Sequence, residues 1–228
     1  MALSGCFVTG TDTGAGKTIV AAALCAAMRA SGKRVAAYKP VVTGVGEEPD
    51  GDWPPDHELL AVVTGARAGD VCATTFRPAV SPHLAAQLAG TAIALDDLVD
   101  RARAAAEGAD ALVVEGVGGL LVPLSDEHDV RDLAVALGLP LVVAARPGLG
   151  TINHSLLTIA AARAAGLDVR AVVLTPWPGD PSVMERSNRD TISRLGGVEV
   201  ATLARVSRGV DEFAQAGAAL PWEAWIRG

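Results

Sequence analysis

The sequence predicts an α/β fold, with a mostly parallel central sheet flanked by helices in three layers. Short Val-rich runs alternate with longer Ala/Leu-rich stretches along most of the chain, which is typical of parallel strands joined by crossover helices. Half of the residues are apolar but only 4% are aromatic, which favours close-packed helices on a Val-rich sheet over a large β-sandwich. No internal repeat is visible, so we expect residues 1–228 to form a single domain.

Strands and helices are predicted to alternate along the chain. Several predicted helices carry Asp, Ser or Thr at or near the first position, where such a side chain caps free amides. We expect strands at residues 6–9, 35–38, 111–115, 141–145, 169–174 and 198–202. We expect helices at residues 17–31, 56–64, 82–89, 96–107, 130–137, 151–165 and 181–195.

One irregular stretch, VTGVGEEPDGDWPP at residues 42–55, is rich in Gly, Pro and acidic residues. It is too short to link two domains and longer than an ordinary connection between a strand and a helix. We interpret it as a mobile loop of an active site, with a solvated surface insertion as the alternative.

Charge and composition restrict the partners. The net charge is −7, from 19 Lys and Arg against 26 Asp and Glu, and no long basic run is present. Nucleic acid and acidic membranes are therefore poor candidates, and we expect a small ligand. The longest apolar run, residues 19–28, has about half the length that spans a bilayer.

Three cysteines, Cys6, Cys25 and Cys72, lie far apart without a C-x-x-C pair. This pattern indicates small buried residues in a reducing compartment, and with no secretory leader visible we expect a cytoplasmic protein. Trp222 and Trp225 are expected to cover the core or an interface rather than to form a cofactor site.

The stretch VTGTDTGAGKT, residues 8–18, predicts a phosphate-binding loop. It follows an apolar run and leads into an Ala-rich helix, so its amides lie at the positive end of that helix, where an anion is stabilised. Lys17 is expected to reach the β- and γ-phosphates, and the Thr18 hydroxyl is expected to bind Mg²⁺. The alternative is a Gly-rich turn with an incidental lysine.

The spacing of this loop departs from the usual pattern by one residue. Thr11 stands where the first glycine is usual, and the nearest earlier glycine is Gly10. Like Gly14 and Gly16, Gly10 is expected to permit positive φ and close approach of a phosphate. The loop is therefore a variant type.

Further polar residues fall where predicted strands end, and ligands of open parallel sheets bind outside the carboxyl ends of strands. Lys39 ends one strand, with Thr43 four residues on; a solvated cation is the alternative for Lys39. Glu115 ends another, as metal-binding carboxylates of P-loop proteins do, with a cap of the following loop as the alternative. For Asp56, a simple helix N-cap is favoured. Residues 148–154 open a helix whose amides are a candidate second anion site.

Five blocks taken together are specific enough to indicate a family: VTGTDTGAGKT, YKPVVTG, SPHLAA, LVVEGVGGLLVPLSD and GTINHSLLT. Their order and spacing resemble the dethiobiotin synthetase family from residue 6 to 154 and, less clearly, to residue 194. The phosphate loop of that family has the same one-residue lengthening. The resemblance implies a P-loop NTPase-like domain.

The resemblance also implies an activity, the ATP-dependent closure of a cyclic urea. A carbamate formed from 7,8-diaminononanoate and CO₂ is activated by the γ-phosphoryl group of ATP, and the second amine then closes the ring, with release of ADP and phosphate. Mg²⁺ is the implied metal, and a homodimer with the substrate near its interface is the implied assembly.

The resemblance implies roles for particular residues. Lys17 and Lys39 are implied to be catalytic, and Thr18, Asp56 and Glu115 to hold the metal. The implied nucleotide contacts are Gly14, Ala15, Gly16, Lys17, Thr18, Ile19, Asp56, Glu115, Gly116, Val117, Gly118, Thr175 and Pro176. The implied substrate contacts are Thr43, Gly150, Thr151 and Asn153.

Two segments expected to meet the nucleotide base depart from the family. Residues 174–178, LTPWP, replace a common Asn-Asp pair, and residues 202–207, TLARVS, replace a common Gly-x-Ile-Pro segment. These departures leave open how strictly adenine is selected.

Two other classes of P-loop protein compete with this interpretation. A cobyrinic acid synthase-like ligase normally carries a glutaminase domain, for which the chain has no room. A partition-type ATPase switch predicts basic surface patches or an amphipathic membrane helix, and neither is visible in the sequence.

Overall fold

A computed structural model describes residues 3–46, 53–207 and 209–226. Its strands are β1 (Gly5–Gly10), β2 (Val35–Tyr38), β3 (Val42–Thr43), β4 (Thr75–Phe76), β5 (Ala111–Glu115), β6 (Leu141–Ala145), β7 (Val169–Trp177) and β8 (Glu199–Ala204). Six of them form one parallel sheet in the order β2-β5-β1-β6-β7-β8, and β3 pairs with β4. All six predicted strands are confirmed.

The helices alternate with these strands. They are α1 (Lys17–Ala30), α2 (Asp56–Thr64), α3 (Ala68–Val71), α4 (Pro82–Leu88), α5 (Leu95–Ala105), α6 (Val130–Leu137), α7 (Thr151–Ala164), α8 (Val183–Gly196), α9 (Val210–Ala218) and α10 (Trp222–Trp225). The seven predicted helices are present. Helix α8 begins two residues later than predicted because Ser182 caps it, accepting a hydrogen bond from the main-chain N–H of Glu185. None of the helices in the described ranges combines the length and the apolar character of a membrane-spanning segment.

The predicted layers are observed, with helices packed on both faces of the sheet. Successive side chains of each strand point to opposite faces, so each strand of this sheet contributes to two core clusters. On β1, Cys6 and Val8 pack into a core cluster with α1, α2 and α9, while Phe7 packs into a second cluster with α5, α6 and α7. Trp222 and Trp225 belong to the first cluster and are buried, so their predicted covering of the core is confirmed. The three cysteines are free and buried, as predicted.

Five short or late elements are missing from the prediction. Strands β3 and β4 have two residues each, and helices α3 and α10 have four, too few for a recognisable period. Helix α9 packs against α1, where Gly217 approaches the main chain of Ala23. Of the predicted loop at 42–55, residues 47–52 lie outside the described residues.

Candidate active site

The phosphate-binding loop joins β1 to α1 at the carboxyl edge of the sheet. Gly14 and Gly16 adopt left-handed backbone conformations, with φ of 67° and 92°, as predicted. The φ of Gly10 is not positive. A Cβ at Gly10 would lie 3.0 Å from Cγ of Lys17, so this glycine provides space rather than backbone freedom, which corrects its predicted role.

Lys17 lies against the inside of the loop and is 6% exposed. Its Nζ donates a hydrogen bond to the main-chain oxygen of Asp12 at 3.0 Å. Burial lowers the pKa of Lys17 and the charge of Lys39 lowers it further, to about 8, while the carboxylates of Glu115 and Asp56 oppose the shift. A bound anion would therefore restore the charge that burial disfavours.

Four side chains from different elements meet beside the loop. Oγ1 of Thr18 lies 2.8 Å from both Asp56 Oδ1 and Glu115 Oε1. Nζ of Lys39 donates to Asp56 Oδ2 at 2.8 Å, to Glu115 Oε1 at 2.5 Å and to the main-chain oxygen of Gly116 at 3.1 Å. Lys39 follows β2 and Glu115 ends β5, and these strands are neighbours in the sheet.

These contacts decide between the alternatives that the residues alone left open. Lys39 is 2% exposed, so it is not a solvated cation. Glu115 is fully buried and binds Lys39 and Thr18, so its side chain is engaged in the cluster rather than in a cap of the following loop. The favoured interpretation of Asp56 as a helix cap is wrong: Pro55 is the N-cap of α2, and the Asp56 side chain turns to Thr18 and Lys39 instead.

The charges of this cluster shift one another's pKa values. Burial by itself would raise the pKa of Asp56, but the Lys39 ammonium and hydrogen bonds from Lys39 and Thr18 lower it to about 2. Burial likewise disfavours the charged form of Lys39, yet Asp56 and Glu115 raise its pKa above the ordinary value. For Glu115, burial outweighs Lys39 and raises the pKa. Lys39 is therefore held as an ammonium ion.

A cleft of about 760 Å³ opens at the cluster. Ala15, Glu115 and Gly116 are buried and do not line it. The predicted site residues that line it are Gly14, Gly16, Lys17, Thr18, Ile19, Lys39, Thr43, Asp56, Val117 and Gly118.

A second cleft of about 400 Å³ lies where β7 and β8 end. The two segments predicted to meet the nucleotide base come together here. Thr175 is buried beside it, and a Cβ at Gly16 would lie 2.4 Å from Cγ2 of Thr175, so this cleft adjoins the phosphate loop. Its lining residues are Pro176, Trp177, Pro178, Gly179, Ala204 and Arg205.

Gly150, Thr151 and Asn153 lie at the start of α7. Gly150 is the N-cap, with φ of 91°, and Asn153 is exposed. Oγ1 of Thr151 is buried and has no hydrogen-bond partner among the described residues. None of the three lines either of these two clefts.

Known proteins are similar in sequence to this chain over most of its length. The AAA domain family matches residues 4–208. A protein from Anaeromyxobacter sp. (strain Fw109-5), named ATP-dependent dethiobiotin synthetase BioD, is 45% identical over 210 residues, which cover 90% of this chain and 91% of that protein. Proteins of the same name from Rhodococcus erythropolis (strain PR4 / NBRC 100887) and Bacillus cereus (strain B4264) are 40% and 39% identical. They match 91% and 87% of this chain and 92% and 81% of their own lengths. The chain belongs to the dethiobiotin synthetase family.

The fold of this dethiobiotin synthetase family member recurs in solved structures of low sequence identity. A ParA family ATPase from Chlorobium tepidum TLS superposes with a TM-score of 0.55 at 15% identity, over 96% of this chain and 90% of that one. The MinC:MinD cell division protein complex of Aquifex aeolicus superposes with a TM-score of 0.55 at 13% identity, over 92% of this chain and 85% of that one. These likenesses concern the fold alone, and they confirm the predicted P-loop NTPase-like architecture.

The oxygen donors of this dethiobiotin synthetase family member fit a magnesium ion. In the part of the chain that the structure describes, no three His, Cys, Asp or Glu side chains meet as a metal site. Thr18, Asp56 and Glu115 nevertheless converge, and the buried Oε2 of Glu115 has no hydrogen-bond partner among those residues. Mg²⁺ is commonly held by one or two carboxylates plus phosphate oxygens and water. In this structure the ammonium group of Lys39 pairs with the carboxylates of Asp56 and Glu115, the same two groups that could bind the metal ion.

Several residues that line the first cleft were not predicted individually, among them Trp53 of the expected active-site loop, Ser81 and Pro82. The block SPHLAA, which carries part of the resemblance to dethiobiotin synthetases, contains Ser81 and Pro82 and is the signal that could have found them. Trp53 packs edge-on against Phe213, with ring centroids 5.6 Å apart, a contact that no local pattern indicates.

Proposed function

We propose that this chain is an ATP-dependent dethiobiotin synthetase, a ligase of biotin biosynthesis that acts on 7,8-diaminononanoate and CO₂. The observation that carries the proposal is the Lys39 ammonium, held 2.8 Å from Asp56 and 2.5 Å from Glu115 in the cleft that Lys17 also lines. The shared name of the relatives supports the choice of substrates.

The reaction requires three bond-forming steps. One amine attacks the carbon of CO₂ and loses a proton, which gives a carbamate. A carbamate oxygen attacks the γ-phosphorus, and ADP leaves. The second amine then attacks the carbamate carbon and loses its proton, while phosphate departs with the electrons of the C–O bond. Transfer of a phosphoryl group depends mainly on positioning and on neutralisation of developing charge.

The residues of the first cleft supply those two requirements. Lys17 and the loop amides bind the β- and γ-phosphates, and Lys39 stabilises the carbamate and the phosphoryl group during transfer. Thr18, Asp56 and Glu115 hold Mg²⁺, which when bound neutralises phosphate oxygens. Thr43, which lines the cleft, contacts the diamine.

We further propose a homodimer whose second chain completes the diamine site. Gly150, Thr151 and Asn153 lie outside the cleft of their own chain. Nearby, at the starts of α7 and α8, the side chains of Leu149 and Val183 are 93% and 77% exposed, which supports an interface there. Light scattering should give a dimer, and Leu149→Asp should give monomers. A wild-type monomer at micromolar concentration would contradict the proposal.

The location that we propose is the cytoplasm. All three cysteines are free and buried, which supports a reducing compartment. Fractionation of cells that express the chain tests this location.

The function is tested by phosphate release from ATP with the diamine and bicarbonate each omitted in turn. We expect release only when both are present. Lys39→Ala should lower turnover roughly 100- to 1000-fold, whereas Lys33→Ala, which removes the same charge before the opposite end of β2, should not. Equal hydrolysis without the diamine would contradict the proposal and favour a partition-type ATPase switch.

A further inference from the structure

Arg146 is an exposed cation that reaches the phosphate loop from another strand. It directly follows β6, the neighbour of β1 in the sheet. Its Nε donates a hydrogen bond to the main-chain oxygen of Gly14 at 3.0 Å, and its Nη2 lies 3.5 Å from that of Thr13. The main-chain N–H of Thr11 donates to the oxygen of Ala144 at 3.0 Å, so strand and loop are also joined through the backbone.

Holding these oxygens orients the amides that follow them. A trans peptide is planar, so the N–H of each residue points opposite to the carbonyl before it. The contacts of Arg146 with Thr13 and Gly14 therefore direct the N–H groups of Gly14 and Ala15 away from the guanidinium. Gly14 lines the first cleft and Arg146 does not.

Lys17 holds the preceding oxygen, that of Asp12, at 3.0 Å. Three successive carbonyls of the loop are thus bound by two cations. Among the described residues, Arg146 makes no ion pair with a carboxylate. Its hydrogen-bonding capacity is directed to the loop, which is what an orienting role requires.

We propose that Arg146 is a positioning residue that preorganises the phosphate loop for the nucleotide. Amides held in a fixed direction need not be reordered when the phosphates arrive, which is the main benefit of a preorganised anion site. The inference rests on the proposed nucleotide site, but not on the identity of the second substrate.

The test is calorimetric binding of ADP and of a non-hydrolysable ATP analogue, both with Mg²⁺, to wild type, Arg146→Ala and Arg146→Lys. We expect Arg146→Ala to weaken both nucleotides equally, by roughly 5- to 30-fold, as for the loss of one or two hydrogen bonds. Arg146→Lys, which can retain one of the two contacts, should fall between. Hydrogen exchange at Gly14–Thr18 should quicken in Arg146→Ala, and the KM for ATP should rise more than that for the diamine.

Arg163 provides a matched control, because it too donates to two main-chain oxygens, those of Gly196 and Gly197, at 2.6 and 3.0 Å. Arg163→Ala should leave nucleotide affinity unchanged. The inference fails if Arg146→Ala binds within twofold of wild type, if only the ATP analogue is weakened, or if Arg163→Ala loses as much affinity. If wild type binds no nucleotide, the proposed function fails instead.

Discussion

Lys39 and Glu115 form a buried ion pair in which Nζ lies 2.5 Å from Oε1 and the side chains are 2% and 0% exposed. Asp56 adds a second carboxylate at 2.8 Å. Because these carboxylates are also the proposed metal ligands, we expect Lys39 and a divalent cation to compete for the same oxygens.

Replacement of Lys39 by Met should make stability depend on the metal. Breaking a buried pair typically costs about 3–5 kcal/mol, because the remaining charge is left without a partner. We expect the free energy of unfolding of Lys39→Met to fall by about that much in EDTA. Mg²⁺ should restore part of this loss, and it should raise the free energy of unfolding of wild type by a smaller amount. Urea denaturation measures both, with Lys33→Met as the control. Equal gains from Mg²⁺ in wild type and variant would show that lysine and metal do not compete.

The buried ammonium group of Lys17 should lower the free energy of unfolding near neutral pH, because burial lowers the pKa of Lys17 from 10.5 to about 8. Between those values the folded chain binds fewer protons than the unfolded chain, so the cost disappears as the pH rises through that window. We expect Lys17→Met to raise the free energy of unfolding by about 1–3 kcal/mol at pH 7, and to do so much less near pH 10. It should also abolish nucleotide binding.

Urea denaturation in EDTA at the two pH values measures the effect of Lys17→Met. A gain of equal size at both would contradict the assigned cause, because the cost would then not come from the charge of Lys17.

Gly217 should be essential for the packing of α9 on α1. A Cβ there would lie 2.0 Å from the main-chain oxygen of Ala23, so Gly217→Ala must separate the helices. We expect a loss of about 3 kcal/mol or more in the free energy of unfolding. Gly69 in α3 is the control, since a Cβ there meets nothing within 4 Å; Gly69→Ala should stabilise by up to about 1 kcal/mol. Similar losses in both variants would refute the packing argument.

The second cleft should discriminate weakly between nucleobases. Among its lining residues, Trp177 and Arg205 have side chains that only donate hydrogen bonds, and the others are Pro, Gly and Ala. If the base binds in this cleft, we therefore expect the exocyclic amine of adenine to meet no side-chain acceptor among these lining residues. We expect kcat/KM for CTP and GTP to lie within roughly 100-fold of that for ATP, and Arg205→Ala to change the order. A preference for ATP beyond roughly 10⁴-fold would instead indicate selective main-chain hydrogen bonds.

The correctly predicted elements are those with a repeated local signal in the sequence. The strand at Ala111–Glu115 is a continuous apolar run, and the helix that begins at Lys17 is rich in Ala, so both were predicted almost to the residue. Helix α9 carries one buried aromatic residue, Phe213, and depends on contact with α1, which no window of the sequence contains.

Local sequence likewise misled at single residues. Asp56 follows two prolines, which is the pattern of a helix cap. Its carboxylate instead forms an ion pair with Lys39, which the fold places beside it. Gly10 was expected to provide backbone freedom, but its φ is not positive, and the space beside it is occupied by the side chain of Lys17 and the main-chain oxygen of Asp12. For Asp56, a partner brought close by the fold outweighed the local preference, whereas for Gly10 the cause lies within the loop itself.

By itself, the sequence determined the α/β fold and the phosphate-binding loop at residues 8–18, because hydrophobic period, glycines and helix start are all local properties. Only the tertiary structure decided that Lys39 lies between Glu115 and Asp56, and that Arg146 holds Gly14. The physical reason is the strand order β2-β5-β1-β6, which brings the carboxyl ends of strands distant in sequence to one edge, where their charges pair.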